Sequence, residues 1–418
     1  MLQQPYLLTC TMKKPELILP AGNYEKLIYA IAYGADAVYA GIPETSLRAK
    51  YNGFDVGLLK EAVDYCHRHQ KKIYITTNVY AREDDIPRLS RHMAEIAESK
   101  PDAFIVSDPG IFRIVSSLKL HIPVHLSTQA NTTNSESVKY WVDQGIQRII
   151  LARELGFSEI VRIRNHAPDV ELEIFVHGAL CISYSGRCLL SSYLTGRDAN
   201  RGNCAGACRW RYFVVEESRR DDFFEIQEDT HGTYILNSKD LCLIDTLPRL
   251  KKIDIDGYKV EGRTKNTFYL ALVAMSYRAV MDAEFDGTSS SILPHVSTLI
   301  KMPDNHGFTH SFMFNDGKVM QSYGDSDTRH QEVAGFIREF EEDMMSVEVK
   351  NPISVGDSLL GISPREIQPL TVKEIQLNGQ YIKTAYGAQK HVVRVRVDRK
   401  LSDTGWEYGI LATSTKVK

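Results

Sequence analysis

Lys72-Ile-Tyr-Ile-Thr-Thr-Asn78 and, after an intervening helical pattern, Ala103-Phe-Ile-Val-Ser-Asp108 decide the fold. Each is a short run rich in β-branched and aromatic residues that ends on a polar side chain. Neither alternates apolar with polar residues as a half-exposed strand does, so both read as strands buried on two faces, the mark of a parallel sheet covered by helices. The unit recurs. Glu16-Leu-Ile-Leu-Pro-Ala-Gly22, Ala37-Val-Tyr-Ala-Gly41, Pro123-Val-His-Leu-Ser-Thr-Gln129, Arg148-Ile-Ile-Leu-Ala-Arg-Glu154, Leu172-Glu-Ile-Phe-Val-His177 and Gly257-Tyr-Lys-Val-Glu-Gly262 bring the set to eight. Helical patterns such as Tyr24 to Tyr33 and Ser135 to Gln144 separate them. Eight such units closed on themselves make a (β/α)8, TIM-like barrel. An open doubly wound sheet is the alternative, but the first turn, Pro20-Ala-Gly-Asn23, is no G-x-G-x-x-G phosphate loop and no P-loop occurs.

With 418 residues, 43% hydrophobic and 25% charged, the chain has the length of two to three domains and an ordinary globular composition. It has no apolar run long enough to span a bilayer, and Met1 to Lys14 lacks the core and cleavage site of a signal peptide, so a cytoplasmic protein without a membrane partner is expected. In a reducing compartment its seven cysteines are then core residues, metal ligands or catalytic thiols rather than disulfides. Cys66, in the helical stretch Leu58 to His69, reads as core. A formal charge of −3 gives no global attraction to polyanions, so a nucleic acid has to meet a local basic patch.

A barrel of this kind gathers the residues at its strand ends into one mouth. Here they are Asn23, Asn78, Asp108, Ser127, Gln129, Arg153, Glu154, His177, Glu261 and Arg263. Arg153 and Arg263, among amides that include Asn78 and Gln129, suit a small carboxylated ligand, because a guanidinium holds a carboxylate through two bonds. Structural ion pairs around the rim are the competing reading. Lys259, Glu261 and Arg263 alternate with other residues, which places all three on one side of the last strand. Glu261 and His177 are the candidates for proton transfer.

Just beyond His177 come Cys181, Cys188, Cys204 and Cys208, spaced C-x6-C, C-x15-C and C-x3-C. That spacing fits no zinc ribbon or finger. Four thiolates spread over longer loops favour an iron–sulfur cluster over zinc, with unliganded core thiols as a third possibility. A nucleophilic cysteine activated by His177 keeps a peptidase reading open.

The run Glu173-x-Phe175-x-x-Gly178-Ala-Leu-Cys181 followed by Gly186-x-Cys188-x-x-Ser191 resembles the signature of the collagenase-like peptidase family, the U32 peptidases. Leu19-Pro-Ala-Gly-Asn23, Gly34-Ala-Asp-Ala-Val-Tyr39, Ser127-Thr-Gln129, Asn237-Ser-Lys-Asp240 and Lys259-Val-Glu-Gly-Arg263 extend the resemblance over nearly the whole chain. Within the family it is most similar to the longer bacterial members that act in tRNA hydroxylation. The resemblance implies a 4Fe–4S protein that uses prephenate in the oxygen-independent conversion of wobble uridine to 5-hydroxyuridine. The ligands it implies are Cys181, Cys188, Cys204 and Cys208, with Cys242 as the substitute for Cys208. It also leaves a shorter homologous subunit as a candidate partner, and a peptidase or an accessory to rRNA hydroxylation as alternatives. One departure is Asn305-His306-Gly307-Phe308, where relatives commonly carry Asn-Arg-Gly-Phe.

After the helical stretch Asn266 to Asp282 the pattern changes. The expected organisation is a barrel over residues 1–285 with a cysteine-rich insertion at 181–208, a connector at 286–330, and a small all-β barrel over 331–418. Short alternating strands run from Val333 to Arg338, Met345 to Val349, Leu370 to Ile375, Tyr381 to Ala385, Val392 to Val397 and Ile410 to Ala412, with Asn378-Gly379 as a hairpin turn. Lys390, Arg394 and Arg396 make this end locally basic, as an RNA-binding platform is, although a solvated strand face carries the same residues.

Overall fold

The computed structural model describes residues 13–47, 49, 52–119, 121–181, 183–210, 228–229, 232–233, 238–286, 292–314, 331–341, 344–387, 392–401 and 405–413. Strands β1 (Glu16–Pro20), β2 (Ala37–Ala40), β3 (Lys72–Thr77), β4 (Ala103–Val106), β5 (Val124–Leu126), β6 (Arg148–Ile150) and β7 (Glu171–Ala179) pair in sequence order. The eighth, Gly257–Val260, runs parallel to both β7 and β1 and closes the barrel. All eight expected strands are present. Their continuous apolar character has its cause in the packing: Leu17, Ile18 and Leu19 are each 0% exposed, inner and outer faces alike. Burial of such a side chain stabilises by about 1.5–3 kcal/mol.

Several polar strand ends serve the helices that follow. Asn23 accepts from Lys26 N and caps helix Tyr24–Ala32, and Asp108 accepts from Gly110 N and Ile111 N at the start of Pro109–Ser117. Each satisfies backbone donors that a helix start leaves open. These two are therefore N-caps rather than ligand groups. Cys66 is fully buried in helix Val56–Arg68, as expected of a core thiol.

The barrel interior is not wholly apolar. Arg148, 2% exposed, reaches Glu16 at 2.7 Å, Glu171 at 2.6 Å and Glu173 at 3.5 Å. Burial opposes the charge of Glu16. The Arg148 guanidinium and hydrogen bonds from Lys72 and Tyr74 outweigh it and hold the carboxyl down at about 2. The charged layer continues to Lys259, which is 2.6 Å from Glu173.

Beyond the barrel, strand Asp240–Cys242 lies antiparallel to β7 and carries Phe308–Thr309 alongside it. The long helix Thr267–Asp286 and helix Leu293–Leu299 pack nearby. In the C-terminal unit, strands Val333–Glu341, Met344–Val349, Val392–Val397, Ile367–Leu377, Ser358–Ile362 and Ile410–Thr413 form an antiparallel ring. Ser358–Ile362 is the member the sequence pattern missed, and it closes the ring by pairing with both Ile367–Leu377 and Ile410–Thr413. Asn378 and Gly379 both have positive φ, as a tight hairpin turn requires. This barrel sits on helix Tyr24–Ala32: Arg338 pairs with Glu25 at 2.7 Å, and the Tyr29 and Phe336 rings meet edge to face. Phe336, Ile362 and Ile410 join the main hydrophobic core.

Candidate active site

The strand ends surround a cavity that opens to solvent. Its floor holds Phe175 of β7 and Lys259 of the closing strand; Thr76 and Asn78 come from the end of β3, Ser127 and Gln129 from that of β5, and Arg153 from that of β6. Lys259, Glu261 and Arg263 all reach it, as their alternation implied. Among the described lining residues three cations face a single carboxylate, that of Glu261. This balance favours an anionic occupant.

Each cation is held by the protein as well. Arg263, almost fully buried, donates to the hydroxyls of Ser46 at 2.5 Å and Thr76 at 3.3 Å, with its guanidinium 5.5 Å from the Tyr39 ring centre. Arg153 donates to the Ala179 carbonyl at 3.0 Å and lies 5.2 Å from the Phe175 ring. Lys259 Nζ lies 4.3 Å from the Tyr39 ring centre beside its Glu173 partner, and burial pulls its pKa down. The sequence placed Lys259 on the right face but gave it no part in the site. Glu261 sits half-buried, 3.4 Å from the Tyr39 hydroxyl. Asn78 accepts from Leu47 N at 3.2 Å, so its amide is fixed at the rim.

The cysteine-rich segment roofs this mouth. Cys181, Cys188 and Cys204 all line the cavity, and Cys208 follows in the turn Ala207–Arg209. Glu154, expected as a rim residue, is an anchor: it accepts from Ser185 N at 2.7 Å and from the Ser185 hydroxyl. Tyr80 N donates to Asn200 O at 3.1 Å, and Arg201 pairs with Asp85 at 2.7 Å. Two signature glycines are sterically required. A Cβ on Gly178, at φ +106, falls 2.0 Å from Glu261 O; one on Gly186, at φ +72, falls 2.1 Å from Gln129 O. The signature therefore encodes the close approach of the segment to the barrel rim.

Not every expected residue joins. His177 does not line the cavity; its ring is packed among Tyr269, Tyr277 and Phe308, and burial pushes its pKa down to about 3. The imidazole, expected as a proton-transfer group, is thus packed among aromatic rings and does not face the cavity. Cys242 stands opposite His177 in the antiparallel pairing with β7, and burial pushes its thiol up to about 12. It borders a second cavity with Asp245 and His310, whereas Cys181, Cys188 and Cys204 line the first. His306, the departure from the family pattern, lies 3.3 Å from buried Asp240, whose backbone N donates to Gly307 O. It thus fastens the turn to the added strand. Arg394 and Arg396 are exposed on one strand face, but each stands 3.7 Å from a carboxylate, Glu341 and Glu374. Lys390 and Cys10 lie outside the described residues.

Among the described residues no group of three or more His, Cys, Asp or Glu side chains could hold a metal ion. A four-iron cluster asks for something else, one thiolate on each of four irons around a pocket. Toward that, Cys181, Cys188 and Cys204 share one cavity, Cys208 lies four residues beyond Cys204, and Gly206 N–H donates to Cys204 Sγ at 3.3 Å, as thiolate ligands require of their surroundings.

Residues 22–322 match the model of peptidase family U32, and residues 329–404 match that of the peptidase family U32 C-terminal domain. The chain belongs to peptidase family U32. This U32 member is 39% identical over 396 residues to the tRNA hydroxylation protein P of Escherichia coli (strain K12), covering 85% of this chain and 87% of that one. It is 29% identical over 425 residues to the 23S rRNA 5-hydroxycytidine C2501 synthase of Escherichia coli (strain K12), covering 98% of this chain and 62% of that one. To the collagenase of Porphyromonas gingivalis (strain ATCC BAA-308 / W83) it is 28% identical over 411 residues, covering 93% and 96%. No helix among the described residues is long and apolar enough to cross a membrane.

Proposed function

We propose that this protein is a tRNA-modifying enzyme that hydroxylates wobble uridine to 5-hydroxyuridine without molecular oxygen, with prephenate as co-substrate. The observation that carries the reading is the cavity itself, where Lys259, Arg153 and Arg263 face the single carboxylate of Glu261 beneath three cysteines. Prephenate is a dicarboxylate, and two guanidiniums with an ammonium are the groups that bind one. Cys181, Cys188, Cys204 and Cys208 would hold a 4Fe–4S cluster, whose chemistry when bound is one-electron transfer or Lewis-acid contact with a substrate oxygen. Around it the chain orients the co-substrate through its cations and places the Glu261 carboxylate, beside the Tyr39 hydroxyl, to hold or move a proton. The tRNA hydroxylation relatives support this reading, and the rRNA relative keeps the chemistry to an RNA base. Cys181 has no activating imidazole in His177, which weighs against a peptidase.

The test is nucleoside analysis of tRNA from a deletion strain, complemented with the wild-type chain and with Cys181→Ala. Loss of 5-hydroxyuridine and its derivatives, restored only by the wild type, is the expected result. Unchanged wobble nucleosides, together with Cys181-dependent cleavage of gelatin by the purified protein, would return the chain to the peptidases.

A further inference from the structure

The surface that surrounds the cavity is unusual for this molecule. Of the twelve exposed large apolar side chains among the described residues, five belong to the cysteine-rich segment: Tyr184, Leu189, Tyr193, Leu194 and Trp210. Tyr193 is 83% exposed and Tyr184 65%, so these rings are not packed into the roof they stand on. Residues 181–210 also carry four arginines and one aspartate with no lysine or glutamate, a net charge of +3 in a chain whose total is −3. Residues 331–418, the expected platform, hold twelve Lys and Arg against twelve Asp and Glu, a net of zero. The cysteine-rich segment therefore combines a net positive charge with three exposed rings, whereas the C-terminal unit exposes Tyr381 and Tyr386 without a net charge.

Exposed rings interleaved with arginines suit one class of partner. A duplex hides its base faces, whereas an unpaired loop presents them for stacking and its phosphates for charge pairing. A protein partner has no need of the net positive charge. Continuity with the site points the same way, because Tyr184 lines the cavity and Tyr193 and Trp210 are exposed on the same cysteine-rich segment. Arg187 on the same segment is exposed and steadied by its bond to the Tyr80 hydroxyl at 3.0 Å, and a guanidinium is the group that pairs with a phosphate.

We infer that Tyr184, Arg187, Tyr193 and Trp210 form the surface that receives the unpaired loop of an RNA, stacking its bases beside the mouth into which the reacting base enters. The inference rests on the RNA-modification reading and locates its macromolecular contact. It moves that contact away from Arg394 and Arg396.

The experiment measures binding of the full chain, purified without oxygen, to a fluorescent stem-loop RNA and to a blunt duplex of matched composition, by anisotropy over a range of salt. Wild type binds the stem-loop more tightly than the duplex. Tyr193→Ala and Trp210→Ala each weaken stem-loop binding by roughly 5- to 100-fold, Tyr193→Phe retains it, and Tyr193→Leu does not. Arg187→Gln lowers the slope of log affinity against log salt by about 0.7 to 0.9, the share of one phosphate contact. The double variant Arg394→Glu with Arg396→Glu leaves affinity unchanged. If wild type binds and the Tyr193 and Trp210 variants bind equally well, the surface lies elsewhere, although the RNA reading survives. Rescue by Tyr193→Leu, or a loss of self-association on sedimentation with RNA binding intact, would make the patch a protein contact and overturn the inference. Failure of wild type to bind any RNA would instead strike at the proposed function.

Discussion

Lys259 Nζ lies 2.6 Å from a carboxylate oxygen of Glu173, with the lysine 4% and the glutamate 0% exposed. The pair joins two functions, since its lysine lines the ligand cavity and its glutamate belongs to the Arg148 layer beneath. Breaking a buried pair strands a charge and costs about 3–5 kcal/mol. Lys259→Met should therefore lower the unfolding free energy by about that amount in denaturant titrations. Adding Glu173→Gln should recover part of the loss without restoring ligand binding. A single variant as stable as wild type would mean that Arg148, 3.5 Å from Glu173, balances that carboxylate alone.

Arg153 and Arg263 make a second, separable case. Arg153 donates to Ala179 O and Arg263 to the Ser46 and Thr76 hydroxyls, and both side chains line the cavity. Replacement by lysine keeps the charge but loses the fork. Arg153→Lys and Arg263→Lys should each weaken prephenate binding about tenfold, the effect of one charge-assisted hydrogen bond of about 1.5 kcal/mol, as read by calorimetry. Unchanged affinity in both would place the ligand elsewhere.

The barrel was legible because its strands are buried on both faces, and that condition writes itself into runs such as Lys72 to Thr77. The mouth was legible in part. Lys259, Glu261 and Arg263 follow from period-two alternation, whereas Asn23 and Asp108 look the same in sequence as ligand groups and turn out to cap helices. His177 was misplaced because the register between β7 and the closing strand shifts at Lys259 and Val260, and such an irregularity redirects side chains without leaving a compositional trace. Strand Ser358–Ile362 escaped notice for another reason: with Leu359, Gly361 and Ile362 its alternation is blurred by a glycine, on which a Cβ would fall 2.4 Å from Leu370.

The cysteine assignment gives a test that needs no activity. Protein purified without oxygen should be brown, and Ala at Cys181, Cys188, Cys204 or Cys208 should remove or strongly reduce the chromophore and the iron content. Cys242→Ser should leave both intact, because burial raises that thiol's pKa and it borders a different cavity from Cys181, Cys188 and Cys204. Stoichiometric zinc in a colourless protein, or loss of colour on replacing Cys242, would refute the assignment.

His177 makes stability depend on pH in a direction that can be worked out. Burial, reinforced by Lys265 and opposed by Asp240, holds the native imidazole at about 3, below its ordinary 6.5. Between these values the unfolded chain binds a proton that the native chain refuses, so the native state loses stability as pH falls below 6.5. One such proton corresponds to about 1.4 kcal/mol per pH unit. Buried His125, whose pKa burial and Arg148 also lower, adds to the same trend and remains when His177 is replaced. Unfolding free energies measured from pH 6.5 to 5, above most carboxylate titration, should therefore fall less steeply for His177→Leu than for wild type. Prephenate affinity in the same window should change little between the two proteins, since the ring does not line the cavity. Parallel stability curves would show that His177 titrates normally, and a shift in the pH profile of ligand binding would put the imidazole back in the site.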